Sequence, residues 1–238
     1  MDNCRGNVLF LILIAVALFA ALSYAVTRSS QNGNEGVEKE QATLAAARIF
    51  NYTSTLSQNL QRMLLIGSVP LEELDFDSPN RLRADGTTYP HNNTLCLTDE
   101  CEVHNVNGGN FAYQDFANIS AQLSPSWGSS WEGPGTWSVN IIKFENQGTD
   151  LPDLVFRMAN VDESVCRVIN EKAGADESPA IVNTGETVYY MRGDPTAGLS
   201  ANDAYTFGDS NDTGLNGATS FCSDSSFGWV LYSLLLAR

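Results

Sequence analysis

Four cysteines (Cys96, Cys101, Cys166 and Cys222) and two histidines (His91 and His104) are the residues of this 238-residue chain best suited to chemistry. Four cysteines allow three pairings. Cys96–Cys101 and Cys166–Cys222 are favoured. The first closes a small loop through Leu97, Thr98, Asp99 and Glu100, and the second ties a short helix to the last strand across an acidic loop. The chain-entropy relation gives them about 2 and about 4 kcal/mol of stabilisation. The competing use is a metal, because Cys96, Cys101 and His104 lie close in sequence, but the spacing is not that of a zinc knuckle. Cysteines in an oxidising compartment more often pair. A fifth cysteine, Cys4, stands in the N-terminal segment without a lipobox around it.

Oxygen-bearing side chains offer a second chemistry. Asp209, Asn211 and Thr213 alternate ahead of Gly214, as at the start of a calcium loop, although Ser220 stands where the closing bidentate Glu would fall. The competing reading is a plain Asp/Asn/Gly turn. Trp127, Trp131 and Trp137, interleaved with Gly128, Gly133 and Gly135, would make an aromatic platform for a glycan or partner if exposed. Exposing Trp is costly, so at least one belongs to the core. The carboxylate pairs Glu72-Glu73 and Asp75–Asp77 read as solvated surface, not as acid/base machinery. No nucleophile elbow, phosphate loop or His-based zinc motif occurs, so no enzyme is expected.

Charge narrows the partners. Twenty-eight acids against thirteen bases give a net charge of −15, with no basic tract. Binding to nucleic acid, which requires neutralising phosphates, is therefore not expected.

The elements that position these residues begin with Val8 to Val26, 19 residues without a charge. As a helix this run is about 28 Å long, close to the roughly 30 Å hydrocarbon core. The four later cysteines favour the N-terminus inside and the following domain outside. A cleavable signal peptide competes with a retained anchor: Ser23-Tyr24-Ala25 has the small-residue spacing for a cut before Val26. Ser29 to Gly36 is polar with two glycines and reads as a hinge.

From Val37 a second, amphipathic helix is expected, with Leu44, Ile49 or Phe50, Tyr52, Leu56, Leu60 and Met63-Leu64 at three- and four-residue steps, ending at Gly67 and Pro70. Beyond Pro70 the texture changes to short strands. The best are Trp137 to Glu145 and Leu154 to Met158, joined by a turn at Asn146-Gln147-Gly148-Thr149. Val161 to Ala173 reads as a helix capped by Asn160 or Asp162 and stopped by Gly174. Thr187 to Met191 and Gly228 to Leu236 supply further strands, the last apolar enough to be central. Gly193 to Ser220 is a long polar loop. The fold class is therefore α+β, an amphipathic helix on an antiparallel sheet.

The step from Arg5-Gly6 into the apolar run resembles the N-terminus of type IV pilins and pseudopilins. There a prepilin peptidase cuts after a leader Gly and a long apolar helix follows. By that resemblance residues 1–6 are leader-like, with cleavage between Gly6 and Asn7. Residues 7–28 are the spine or membrane helix, including Val8, Leu11, Ala17, Ala21 and Val26. Residues 29–36 are the hinge, and 37–238 form an exported head. Leu11 occupies the position where those families usually carry a Glu, and Asn7 the place of a common aromatic.

A closer resemblance, to a family of single-anchor pilin-like proteins from alphaproteobacteria, rests on several stretches. They are Gly6 to Ala15, Ala25-Val26-Thr27, Gln61 to Gly67, Cys101 to Asn105 with Gly108-Gly109, Val165 to Asn170, and Leu234 to Arg238. The resemblance implies a pilin-like head on a membrane helix, with the membrane and self or other pilin-like subunits as partners. It implies residence in the bacterial inner membrane, with the head in the periplasm or on the surface. It carries no activity and no cofactor beyond the calcium loop. The leading expectation is a structural subunit of a filament or secretion-type assembly. A signal-peptide-cleaved secreted or anchored binding protein is the alternative, and an exported hydrolase comes third.

Overall fold

The computed structural model describes residues 6–76, 93–119, 137–149, 151, 153–177, 179, 189–190, 206–207, 214–225 and 228–238; in the first helix, side chains are described at residue 10, at 12–24 and from 36 onward. The chain divides into two compact units, Met1–Ala42 and Thr43–Arg238. Helix α1 (Gly6–Leu65) runs through the first unit and into the second.

Along residues 10–24 of the first unit the described large apolar side chains, among them Phe10, Leu13, Leu18, Phe19 and Leu22, are exposed. Among the described residues no helix is long and apolar enough to cross a membrane. Residues 29–36, expected as a hinge, have helical backbone instead. Their physical reason is propagation. Each glycine costs about 1 kcal/mol in a helix, but no proline interrupts the run, and extending a formed helix is far easier than nucleating one.

In the second unit, residues 43–65 of α1 bury Ala45, Ala46, Ile49, Tyr52, Leu56, Leu60 and Met63, the stripe that helical spacing requires. Leu44 departs from the expected stripe and is 65% exposed; the small Ala45 and Ala46 are covered in its place. The helix ends at a left-handed residue. Ser68 takes the left-handed position at φ 55°, and the Val69 N–H closes onto Met63 O at 3.2 Å. Gly67 is needed beside it because a Cβ there would lie 2.7 Å from Met63 O.

The sheet is antiparallel through its four longer strands. β1 (Trp137–Phe144) pairs with β2 (Asp153–Met158), β2 with β6 (Gly228–Leu236), and β6 with β5 (Ser220–Ser225). Two short strands border β1: β3 (Tyr189–Tyr190) is antiparallel to it and β4 (Thr206–Phe207) parallel. The turn between β1 and β2 falls where expected, with Asn146 at φ 61° and Gly148 at φ 60°. Helix α2 (Glu163–Ala173) follows β2. Asp162 caps it by accepting from Ser164 N, and Gly174 ends it at φ 80°.

Register assigns the faces. Trp137 lies opposite Met158, Val139 opposite Phe156, Met158 opposite Leu231, and Leu231 opposite Cys222. These residues share one face, and both helices are on it: Tyr52 of α1 contacts the rings of Trp137 and Phe156, and Cys166 of α2 is bonded to Cys222. The opposite face carries Ile142, Phe144, Val155 and Phe221, which pack with Phe207 and Leu215. Helices confined to one face of an antiparallel sheet define the α+β class.

β6 lies between β2 and β5, the interior position its apolar sequence required. β5 was not foreseen. Its sequence SFCSDS carries two apolar residues side by side and no alternation, so pairing with β6, not local pattern, makes it a strand.

Candidate functional site

Both favoured cysteine pairings are formed, Cys96 to Cys101 and Cys166 to Cys222. Each holds a different part of the second unit. Cys101 is buried, and its carbonyl accepts from Asp75 N at 2.9 Å, while Asp75 O accepts from Val103 N at 2.8 Å. The small disulfide loop is thus laced to the segment that follows α1. Asp75 departs from the expectation of a solvated carboxylate: it is buried, and its Oδ2 accepts from Asn93 N at 3.1 Å. Asn93 returns two bonds from its side-chain amide, to Glu72 O at 2.8 Å and Leu74 O at 3.0 Å. Asn93 Oδ1 also accepts from Leu95 N at 3.0 Å, so a single Asp–Asn pair satisfies four backbone groups, as buried polar side chains generally require.

His104, one candidate for metal binding with Cys96 and Cys101, is engaged otherwise. Its Nδ1–H donates to Phe111 O at 2.7 Å, because a carbonyl can only accept. Its ring meets those of Trp137 and Tyr113 edge-on at 5.8 and 5.6 Å. Among the described residues no group of His, Cys, Asp and Glu side chains could hold a metal ion. The proposed calcium residues Asp209, Asn211 and Thr213 lie outside the described residues, as do Asp77, His91, Trp127 and Trp131. The leader residues 1–5 lie outside them too, while Gly6 and Asn7 open α1.

Trp137 is the core member of the tryptophan set, buried at the centre of an aromatic cluster. It stacks on Phe156 at 5.1 Å and on Tyr113 at 5.4 Å, meets Tyr52 at 5.6 Å, and donates Nε1–H to Gln114 O at 2.9 Å. The Tyr52 hydroxyl donates to Ala112 O at 3.4 Å and accepts from Gln114 N at 3.3 Å. Burial raises the Tyr52 pKa far above the ordinary phenol value, which keeps it neutral. This cluster joins α1, the 111–116 segment and the sheet. It holds no activated nucleophile and no paired carboxylates.

A further buried carboxylate sits at the other end of β1. Asp153 Oδ2 accepts from Phe144 N at 2.7 Å and Oδ1 from Arg238 N at 2.9 Å. Burial raises its pKa, and the two backbone donors oppose that shift.

The residues that sequence reasoning missed are Asn170 and the exposed apolar set Leu65, Ile66, Leu97 and Val106. A signal for the second was present: Met63 to Ile66 is four apolar residues in succession, more than one helical stripe can bury. Searches of protein-family models, curated proteins and solved structures give no match to this chain.

Proposed function

We propose that the chain is a pilin-like structural subunit. Its N-terminal helix serves as a membrane or filament spine, and its α+β head is displayed outside the inner membrane. One observation carries this reading: a single helix, α1, exposes apolar side chains along residues 10–24 and buries a helical stripe against the sheet along residues 45–63. An exposed apolar surface of that extent calls for lipid or other helices to cover it. The two disulfides support an oxidising compartment for the head. The uncharged run from Val8 to Val26 supports an anchor, and the Gly6–Asn7 step supports a leader cut by a prepilin peptidase.

N-terminal sequencing of the native protein tests the proposal. A mature chain beginning at Asn7 supports the spine. A mature chain beginning at Val26 removes the helix and overturns it in favour of a secreted binding protein.

A further inference from the structure

We propose that Leu65, Ile66, Leu97 and Val106 form a self-association surface on the head, which docks on the same surface of a second copy of this chain. The inference goes beyond the spine reading and stands apart from the N-terminal helix.

These four are the most exposed large hydrophobic residues described in the second unit, at 81, 80, 87 and 73%. They converge on one place. Leu65 and Ile66 stand three and four residues after Arg62, hence on its side of the helix. The Arg62 guanidinium donates to Gly109 O at 2.8 Å, three residues from Val106. Asn107, next to Val106, donates to Asp99 Oδ2 at 3.1 Å inside the Cys96–Cys101 loop that carries Leu97.

The surface is held in advance of any contact. The disulfide closes the loop around Leu97. Gly108 and Gly109 sit so tightly that a Cβ on either would come within 2.3 Å of a backbone oxygen. A pre-ordered apolar surface loses little entropy on docking.

Charge selects the occupant. Arg62 and the acids Asp99 and Glu100 border the same apolar patch, and all three are exposed. Arg62 retains guanidinium donors beyond those given to the glycine carbonyls. A two-fold contact places each copy's cation against the other's acids, because in such an interface residue i meets j and j meets i. Repulsion between two chains of net charge −15 is screened beyond about 8 Å at physiological salt, which leaves the local pairing to decide.

The test uses the full chain in native membranes with Cys4→Ser, so that no cysteine outside the two disulfides remains. Val106→Cys in that background, treated with a short flexible bis-maleimide, is expected to give a covalent dimer; Lys172→Cys on the exposed side of α2 is expected to stay monomeric. Adding Ile66→Asp should lower the dimer yield at least about tenfold, and Leu65→Gln should act in the same direction. Glu100→Lys should also lower it. Non-reducing peptide maps confirm that each variant keeps both native disulfides. Ala17→Leu with Ala21→Leu should leave the Val106→Cys dimer intact, which separates this contact from any made by the helix. A Val106→Cys yield no greater than that of Lys172→Cys overturns the proposal. So does a yield indifferent to both Ile66→Asp and Leu65→Gln in folded protein.

Discussion

The side-chain amide of Asn170 pairs with the backbone of Cys222 as a neighbouring strand would: Cys222 N–H donates to Oδ1 at 2.7 Å, and Nδ2 donates to Cys222 O at 2.9 Å. Cys222 lies on β5, the end strand of the described sheet, whose outer side has no ladder partner among the described residues. Asn170 lies one helical turn after Cys166, so the disulfide and the amide grip the same residue from the same helix. A third bond, Nδ2 to Glu177 O at 3.1 Å, fixes the amide's orientation.

Asn170→Ala is therefore expected to destabilise the head by about 2–4 kcal/mol, because it leaves a buried N–H and a buried C=O unpaired. Urea unfolding with both disulfides intact measures this. Replacing Cys166 and Cys222 by Ala should cost about 4 kcal/mol on the chain-entropy relation, against about 2 for Cys96 and Cys101. A loss under about 0.5 kcal/mol for Asn170→Ala, the size of an ordinary surface change, would remove the edge-pairing account.

Two glycines should respond with opposite sign. Gly36 is helical and a Cβ there meets nothing within 4 Å, so Gly36→Ala is expected to stabilise α1 by about 0.5–1 kcal/mol and to raise helicity in circular dichroism. A true hinge at 29–36 would give no gain. At Gly109 a Cβ would lie 2.2 Å from Val103 O and 2.8 Å from Asn59 Oδ1. Gly109→Ala should therefore lower stability by about 1–3 kcal/mol, read as a shift in the denaturation midpoint.

Asp153 sets a pH dependence whose sign follows from its raised pKa. Between the ordinary carboxyl pKa of 3.8 and the raised folded value, the native state holds a proton that the unfolded chain has released. Stability contributed by this group is thus present below 3.8 and is lost as pH rises through the folded pKa. Midpoints measured across that window should fall less with rising pH in Asp153→Asn than in the parent. Parallel pH profiles for the two proteins would refute the assignment.

The proposed spine helix yields to a packing test. Ala17 and Ala21 are one turn apart on α1, and small residues at that spacing let helices approach closely where lipid offers no hydrophobic drive. In the proposed pilin-like spine, Leu11 stands where pilins usually carry an acid, so packing alone would hold helices together. Ala17→Leu with Ala21→Leu is expected to reduce helix-mediated oligomers in membranes, seen by crosslinking, while near-ultraviolet circular dichroism of the head stays unchanged. Crosslinks between cysteines placed within residues 10–24 that survive the pair of substitutions at full yield would place the helix contact elsewhere.

Much of the fold was legible because its signals are local. The cap at Asp162, the stop at Gly174, the turn at Asn146 to Gly148 and the apolar run of β6 each declare themselves within a few residues. The disulfide pairing was legible from loop size and the order of the elements. What stayed hidden depends on partners remote in sequence. β5 exists through β6, Asn170 acts on a residue 52 positions away, and buried Asp75 pairs with Asn93, 18 positions on. Residues 29–36 misled for the opposite reason: two glycines speak for a break, but helix on both sides overrides them.

The β2–β6 pairing has a consequence for the order in which the chain acquires structure. The interior of the sheet joins residues near 155 to residues near 235, and the Ser57 hydroxyl bonds Leu235 O across a separation of 178 residues. A chain synthesised from its N-terminus presents α1 long before its sheet partner emerges. The head then has no complete interior until β6 is delivered, and closing so long a loop is slow. Until then Cys166 on α2 is made but the strand that carries Cys222 has no β6 to pair with, so the sheet and this disulfide complete together at the end of synthesis.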